Sequence, residues 1–225
     1  MNYRPIVIPR NKKYGNNYWE TRGLKVGNRD VTLYSDLEFD HWLTVESDRR
    51  VQTYCEQPCQ ISFVLNGKLR TSIFDMVICD WKGSTTFIEV KYENELISSH
   101  KNYERNMRQI EAQMKWCNQN GVTHEVRTEK TIRKGKHSIE NYLKMISNVL
   151  NHQQPGNISL VSQVLESQKS IKISKLQVLL QEQLDKYNTL LSLQWLYYEG
   201  IVTANLDVQV WGDEMEVRFN ENPIR

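Results

Sequence analysis

Three acidic residues and a lysine carry the chemistry that this sequence offers. Glu38 stands alone, Asp75 follows, and Glu89 and Lys91 come 14 residues further on, separated only by Val90. Carboxylates gather hard cations such as Mg²⁺, and a lysine beside them can polarise an attacking water or neutralise charge on a phosphate. Brought together, the four would hydrolyse a phosphodiester. Spacing alone is a loose signal, because an Asp followed by Glu-x-Lys occurs in many unrelated chains. The setting sharpens it: Asp75 interrupts the apolar run Ile73-Phe74-Asp75-Met76-Val77, where a carboxylate is expensive without a partner or a cation. Glu38 has a second reading, as the last residue of the capping box Ser35-Asp36-Leu37-Glu38. Asp80 and Glu93 are rival acids that read equally well as surface charges.

The elements around these residues must bring them together. Residues 35–46 predict a helix with Ser35 as N-cap and Leu37, Phe39, Trp42, Leu43 and Val45 as apolar positions. Short strands are expected over 51–54 and 61–65, and Asn66-Gly67 signals a hairpin. A strand over 69–80 follows, then a turn at Lys82-Gly83-Ser84 and a strand over 85–91. Alternate residues of a strand share a face, so Phe87, Glu89 and Lys91 point one way. If the two strands pair through that turn, Asp75 and Glu89 converge. Glu38 would add a third carboxylate from the helix behind the sheet and make room for a second ion. A helix over 101–118 and a strand over 122–127 complete a mixed sheet flanked by helices, an α/β fold.

A boundary is expected near 152–157, where Gln153-Gln154-Pro155-Gly156 interrupts the helical pattern of 139–150. The sequence thus divides into a basic N-terminal arm (1–34), a catalytic domain (35–152) and a C-terminal domain (153–225). The last shows helix patterns over 158–168, 174–183 and 185–199, then strand-like stretches over 201–210 and 214–219, an order that suggests a winged helix.

At 225 residues with 39% apolar and 25% charged composition, the chain has enough material for a core and is too apolar for disorder. No apolar run approaches the ~20 residues of a membrane span. The start lacks a signal-peptide pattern, and four cysteines without one suggest reduced thiols and a cytoplasmic setting. Net charge is only +2, but residues 1–34 hold seven bases against two acids, and 127–136 hold five against one. Lys12, Lys13, Arg127, Lys130, Arg133, Lys134 and Lys136 are therefore the candidate DNA-backbone contacts. Residues 157–225 carry six bases and nine acids, which favours protein docking over duplex binding for the C-terminal domain. Cys55 and Cys59 lack a second pair to complete a zinc site. No Gly-rich phosphate loop or serine-triad motif is present.

Five segments together resemble the TnsA family, the endonuclease subunits of heteromeric transposases. They are Ser35-Asp36-Leu37-Glu38, Glu56-Gln57-Pro58, Phe74-Asp75-Met76-Val77, Phe87-Ile88-Glu89-Val90-Lys91 and Thr128-Glu129-Lys130-Thr131-Ile132. The resemblance covers about 100 residues and implies a restriction-endonuclease-like fold and a Mg²⁺-dependent DNA nuclease. It would make Glu38, Asp75 and Glu89 metal-linked acids and Lys91 the catalytic lysine. No proline precedes Asp75, where related nucleases often have one. The resemblance further implies nicking at the 5′ ends of a mobile element while a partner transposase processes the 3′ ends, and a regulatory ATPase at the C-terminal domain. A stand-alone repair, junction-resolving or restriction nuclease and a non-catalytic DNA-binding scaffold are the alternatives.

Overall fold

The computed structural model describes residues 3–8, 17–65 and 67–222; Lys12 and Lys13 lie outside them. The chain divides into two units, Met1–Arg133 and Lys134–Arg225.

Within the stretch expected to be a basic arm, the first unit forms a hairpin. Strands β1 (Trp19–Gly23) and β2 (Arg29–Leu33) pair antiparallel. Polar residues on β1 and the Gly27-Asn28 turn hide this hairpin from a periodicity reading. A Cβ on Gly23 would lie 2.1 Å from Tyr54 Oη, so close packing against the sheet requires glycine there. Helix α1 (Asp36–Ser47) starts at Ser35, whose hydroxyl accepts the Glu38 N–H at 3.1 Å. It buries Leu37, Trp42, Leu43 and Val45.

Next come β3 (Val51–Glu56), then β4 (Gln60–Leu65) and β5 (Lys68–Ile73), which form a two-stranded ribbon of their own. Strands β6 (Met76–Asp80) and β7 (Thr85–Val90) follow. The single strand expected over 69–80 is thus two, and Asp75 sits at the break. β5 pairs with β4, whereas β6 pairs with β3 and β7. Helix α2 (Tyr103–Gln119) crosses over to β8 (Thr123–Arg127), which lies parallel to β7; a parallel neighbour requires such a crossover. The central sheet runs β3-β6-β7-β8. A short helix α3 (Glu129–Ile132) closes the unit.

Side-chain alternation on β7 now has a visible meaning. Phe87 faces α2, with its ring 5.2 Å from Trp116 and 4.7 Å from Phe74. Cys55 and Cys117 are buried in the same cluster. Two residues on, Glu89 faces the same helix and meets its polar side chains. This mixed sheet flanked by helices fits a restriction-endonuclease-like fold.

The second unit contains α4 (Ser138–Asn151), α5 (Ile158–Gln168), β9 (Ser170–Lys172), α6 (Ile173–Leu180), α7 (Lys186–Tyr198), β10 (Val202–Ala204) and β11 (Glu216–Phe219). Its three strands run in the order β10-β11-β9. The unit boundary falls after Arg133 and not near 152–157, because α4 is bonded into the C-terminal half. The Asn141 amide donates to the carbonyls of Leu206 and Gln209, both at 2.7 Å, and its oxygen accepts the Trp211 N–H at 2.9 Å. Leu191, Leu193 and Leu196 of α7 are buried, and of its aromatic residues Tyr187 is the exposed one, at 53%. Among the described residues no helix is long and apolar enough to cross a membrane.

Candidate active site

Asp75 occupies the break between β5 and β6, where its backbone is fixed from both sides. Its N–H donates to the Ile88 carbonyl at 3.1 Å, and its carbonyl accepts the Gln57 N–H at 3.0 Å. The carboxylate turns toward β7, where Oδ2 accepts the Val90 N–H at 2.7 Å. That bond sets Asp75 beside Glu89, as the strand pairing predicts.

Glu89 is only 1% exposed, and it is held from α2. Gln109 Nε2 donates to Oε1 at 2.7 Å, and Gln113 Nε2 donates to Oε2 at 2.6 Å. Both amides also reach Ser72 Oγ on β5, at 3.2 and 3.1 Å, and Gln113 Oε1 lies 3.2 Å from His124 Nε2. Lys91 Nζ forms an ion pair with Glu89 Oε1 and reaches the Val90 carbonyl at 3.4 Å. Burial raises the Glu89 carboxyl to about 7, and the Asp75 carboxylate adds to the effect, while Lys91 and Gln113 partly offset it. Burial also works against the Lys91 ammonium, but the facing Glu89 and Asp75 carboxylates prevail and hold it above its ordinary range. The lysine is therefore charged at neutral pH, and the two carboxylates still repel.

A cavity of about 1140 Å³ opens onto Asp75, Glu89 and Lys91. The donor set there suits a hard cation. Nothing among the described residues donates to Asp75 Oδ1, and Glu89 Oε2 accepts one bond of the two it can take. Mg²⁺ is commonly held by one or two carboxylates plus waters and substrate phosphate, so a pair of acids suffices.

Glu38 is placed differently from the expectation. Its Oε2 accepts the Tyr34 N–H at 3.1 Å, and its Oε1 accepts the Ser35 hydroxyl at 3.1 Å, so the carboxylate is tied to the chain entering α1. Gln57 Nε2 stands between it and Asp75, 3.4 Å from Glu38 Oε2 and 3.4 Å from the Asp75 carbonyl. The expected triple-carboxylate cluster is thus not assembled. Among the described residues no three His, Cys, Asp or Glu side chains lie together as a metal-holding group. The rival acids have other work: Asp80 Oδ1 accepts the Lys82 and Ser84 N–H groups in the β6–β7 turn, and Glu93 pairs with Lys130.

Three of the seven expected DNA contacts are engaged within the protein. Arg127 pairs with Glu125 at 2.8 Å, Lys130 with Glu93 at 3.0 Å and Arg133 with Asp40 at 2.6 Å. Lys134 and Lys136 are exposed and belong to the second unit.

Sequence reasoning missed the three glutamines. Gln109 and Gln113 are four apart and so share one face of α2, but neutral residues on a helix give no signal of a site. Gln57 was legible only as part of Glu56-Gln57-Pro58. Its φ of +38° lies in the left-handed region, which is uncommon for a non-glycine residue and tends to mark a functional constraint.

Residues 48–129 match the model of a family described as TnsA-like endonuclease N terminal. The match includes Asp75, Glu89, Lys91 and all three glutamines, and begins after Glu38. This stretch is thus similar to the N-terminal domain of TnsA-like endonucleases. No curated protein matches the chain.

Proposed function

We propose that this chain, whose residues 48–129 form a TnsA-like endonuclease N-terminal domain, is the Mg²⁺-dependent endonuclease subunit of a heteromeric transposase, nicking the 5′ ends of the mobile element while a partner transposase processes the 3′ ends. The observation that carries the chemistry is the pairing of Asp75 with Glu89 through the Val90 N–H, beside Lys91 and open to a cavity. Two facing carboxylates with one lysine leave surplus negative charge, which is the condition for taking up a cation.

Asp75 and Glu89 would hold the ion, with the Val90 carbonyl as a further oxygen. Mg²⁺ there would act as a Lewis acid on the phosphate oxygens and steady the charge that builds up as the phosphodiester breaks. Lys91, kept protonated by its two acidic neighbours, donates a hydrogen bond that orients the attacking water and balances phosphate charge. Gln109 and Gln113 hold Glu89 in one orientation. Gln57 fixes the backbone of Asp75 and relays the position of Glu38, which supports the site from the start of α1.

For the second unit, the order helix, strand, helix, helix, strand, strand over 158–219, with three strands in one sheet, supports a winged-helix-like reading. The acid excess of 157–225 favours docking to protein, and a regulatory ATPase of the transposition machinery is the proposed partner. Double-stranded DNA at the element ends is the proposed substrate.

The test is an excision assay in cells supplying the partner transposase, comparing wild type with Asp75→Ala and Lys91→Ala. Loss of double-strand excision with 3′-end joining retained is expected. Unchanged excision in both variants would remove the catalytic assignment.

A further inference from the structure

The cavity above Asp75 and Glu89 has a charge pattern that folding does not explain. Lys101, just before α2, and Arg105 and Arg108 on its first turns line the cavity, and so does Arg70 of β5. Arg108 is engaged by Glu104 at 3.3 Å. Arg70, Lys101 and Arg105 are exposed and form no ion pair among the described residues. Arg127, Lys130 and Arg133, by contrast, are each matched by an acid. Exposed like charges gathered around one opening repel one another and add nothing to the core. A polyanion in that opening would reverse the sign of their interaction. The size agrees, since about 1140 Å³ exceeds the ~300–1,000 Å³ typical of small-molecule pockets.

We propose that Arg70, Lys101 and Arg105 bind backbone phosphates of the DNA strand whose phosphodiester is presented to Asp75 and Glu89, gripping it where they line the cavity. This rests on the nuclease reading of the same cavity, and it moves the principal DNA contact away from residues 127–136. Each side chain supplies charge without reading a base, so the contact is independent of sequence. Arg127, Lys130 and Arg133, already neutralised by carboxylates, release fewer counterions and contribute less.

The test is binding of the full-length protein to a fluorescein-labelled 30-base-pair duplex of arbitrary sequence. Anisotropy is followed across a salt series in EDTA, so that no cutting intervenes. Each phosphate contact contributes a slope of roughly −0.9 to log K against log salt. The triple variant Arg70→Ala, Lys101→Ala, Arg105→Ala is expected to lose about two to three from that slope, with affinity more than tenfold weaker at the lowest salt. Arg70→Lys with Arg105→Lys is expected to restore the slope, because charge suffices. Lys130→Ala is expected to change affinity less than twofold. Circular dichroism confirms that the variants fold. The proposal is overturned if the folded triple variant keeps the wild-type slope, if Lys130→Ala costs more than the triple variant, or if wild type shows no salt-dependent binding. Asp75→Asn separates the two readings. If Asp75→Asn still cleaves with the partner transposase and Mg²⁺, the nuclease assignment falls while the salt-slope result for the triple variant stands.

Discussion

Gln113→Met isolates the role of the α2 glutamines. Methionine keeps nearly the same volume, so the buried site stays filled. The substitution removes the 2.6 Å hydrogen bond to Glu89 Oε2 and the contacts to Ser72 and His124. A hydrogen bond to a charged group contributes about 1.5–3 kcal/mol. If that amount is lost from the ionised form of Glu89, its carboxyl moves upward by about 1–2 pH units. The cation competes with the proton for the same carboxylate. In wild type, with Glu89 raised to about 7 by burial and Asp75, Mg²⁺ affinity should rise about tenfold per pH unit up to that point and level off above it. In Gln113→Met the plateau should begin about 1–2 units higher, and because wild-type Glu89 is itself half protonated at pH 7, affinity there should be about 5- to 50-fold weaker. Calorimetric titration of Mn²⁺ and Mg²⁺ at a series of pH values reads both quantities. A folded variant with wild-type affinity and an unshifted midpoint would refute the reasoning that Gln113 holds Glu89 ionised and aimed.

Three other perturbations test separate parts of the structure. His41 is buried, and burial together with Arg127 depresses its imidazole from 6.5 to about 3. The unfolded chain takes up that proton first as pH falls, so stability that is complete above about 6.5 drains at ~1.36 kcal/mol per pH unit toward 3. Urea unfolding at pH 4.5 should therefore show a loss of about 3 kcal/mol relative to pH 7 that His41→Gln lacks; parallel curves would contradict this. Glu38→Ala should cost about 1 kcal/mol in thermal or urea unfolding through loss of its bonds to the Tyr34 N–H and the Ser35 hydroxyl. The same variant should weaken Mg²⁺ binding less than Glu89→Gln does, whereas an equal loss would make Glu38 a direct ligand. Gly23→Ala forces a Cβ against Tyr54 Oη and should cost about 1–3 kcal/mol by overpacking, with a wild-type melting temperature as the contrary result.

Much of this arrangement is legible in the sequence where a local rule operates. Ser35 announced the start of α1 because an N-cap is a local property: its hydroxyl accepts the Glu38 N–H. Glu89 and Lys91 fell on one strand face because strand alternation is strict. Other features depend on tertiary contacts. The break at Asp75 carries no Gly or Pro, so the apolar run over 73–77 reads as one strand although its halves pair with different neighbours. The basic run 127–136 reads as a free polycation, but its acids, Asp40, Glu93 and Glu125, come from three separate segments. Pro155 and Gly156 suggested a boundary by composition, while α4 is bound to the rest of the second unit by Asn141 and by Asn148, which donates to Gln194 at 2.6 Å, polar residues that no pattern singles out.

Asp75 and Glu89, with Lys91, are proposed to cut DNA at the element's 5′ ends. The most direct measurement is strand-specific mapping of cleavage on end-labelled donor DNA, using purified protein with its partner transposase and Mg²⁺. Wild type should give both 5′ and 3′ cuts, and Asp75→Asn should abolish the 5′ cuts alone. Persistence of the 5′ cuts in Asp75→Asn would remove Asp75 from the catalytic site.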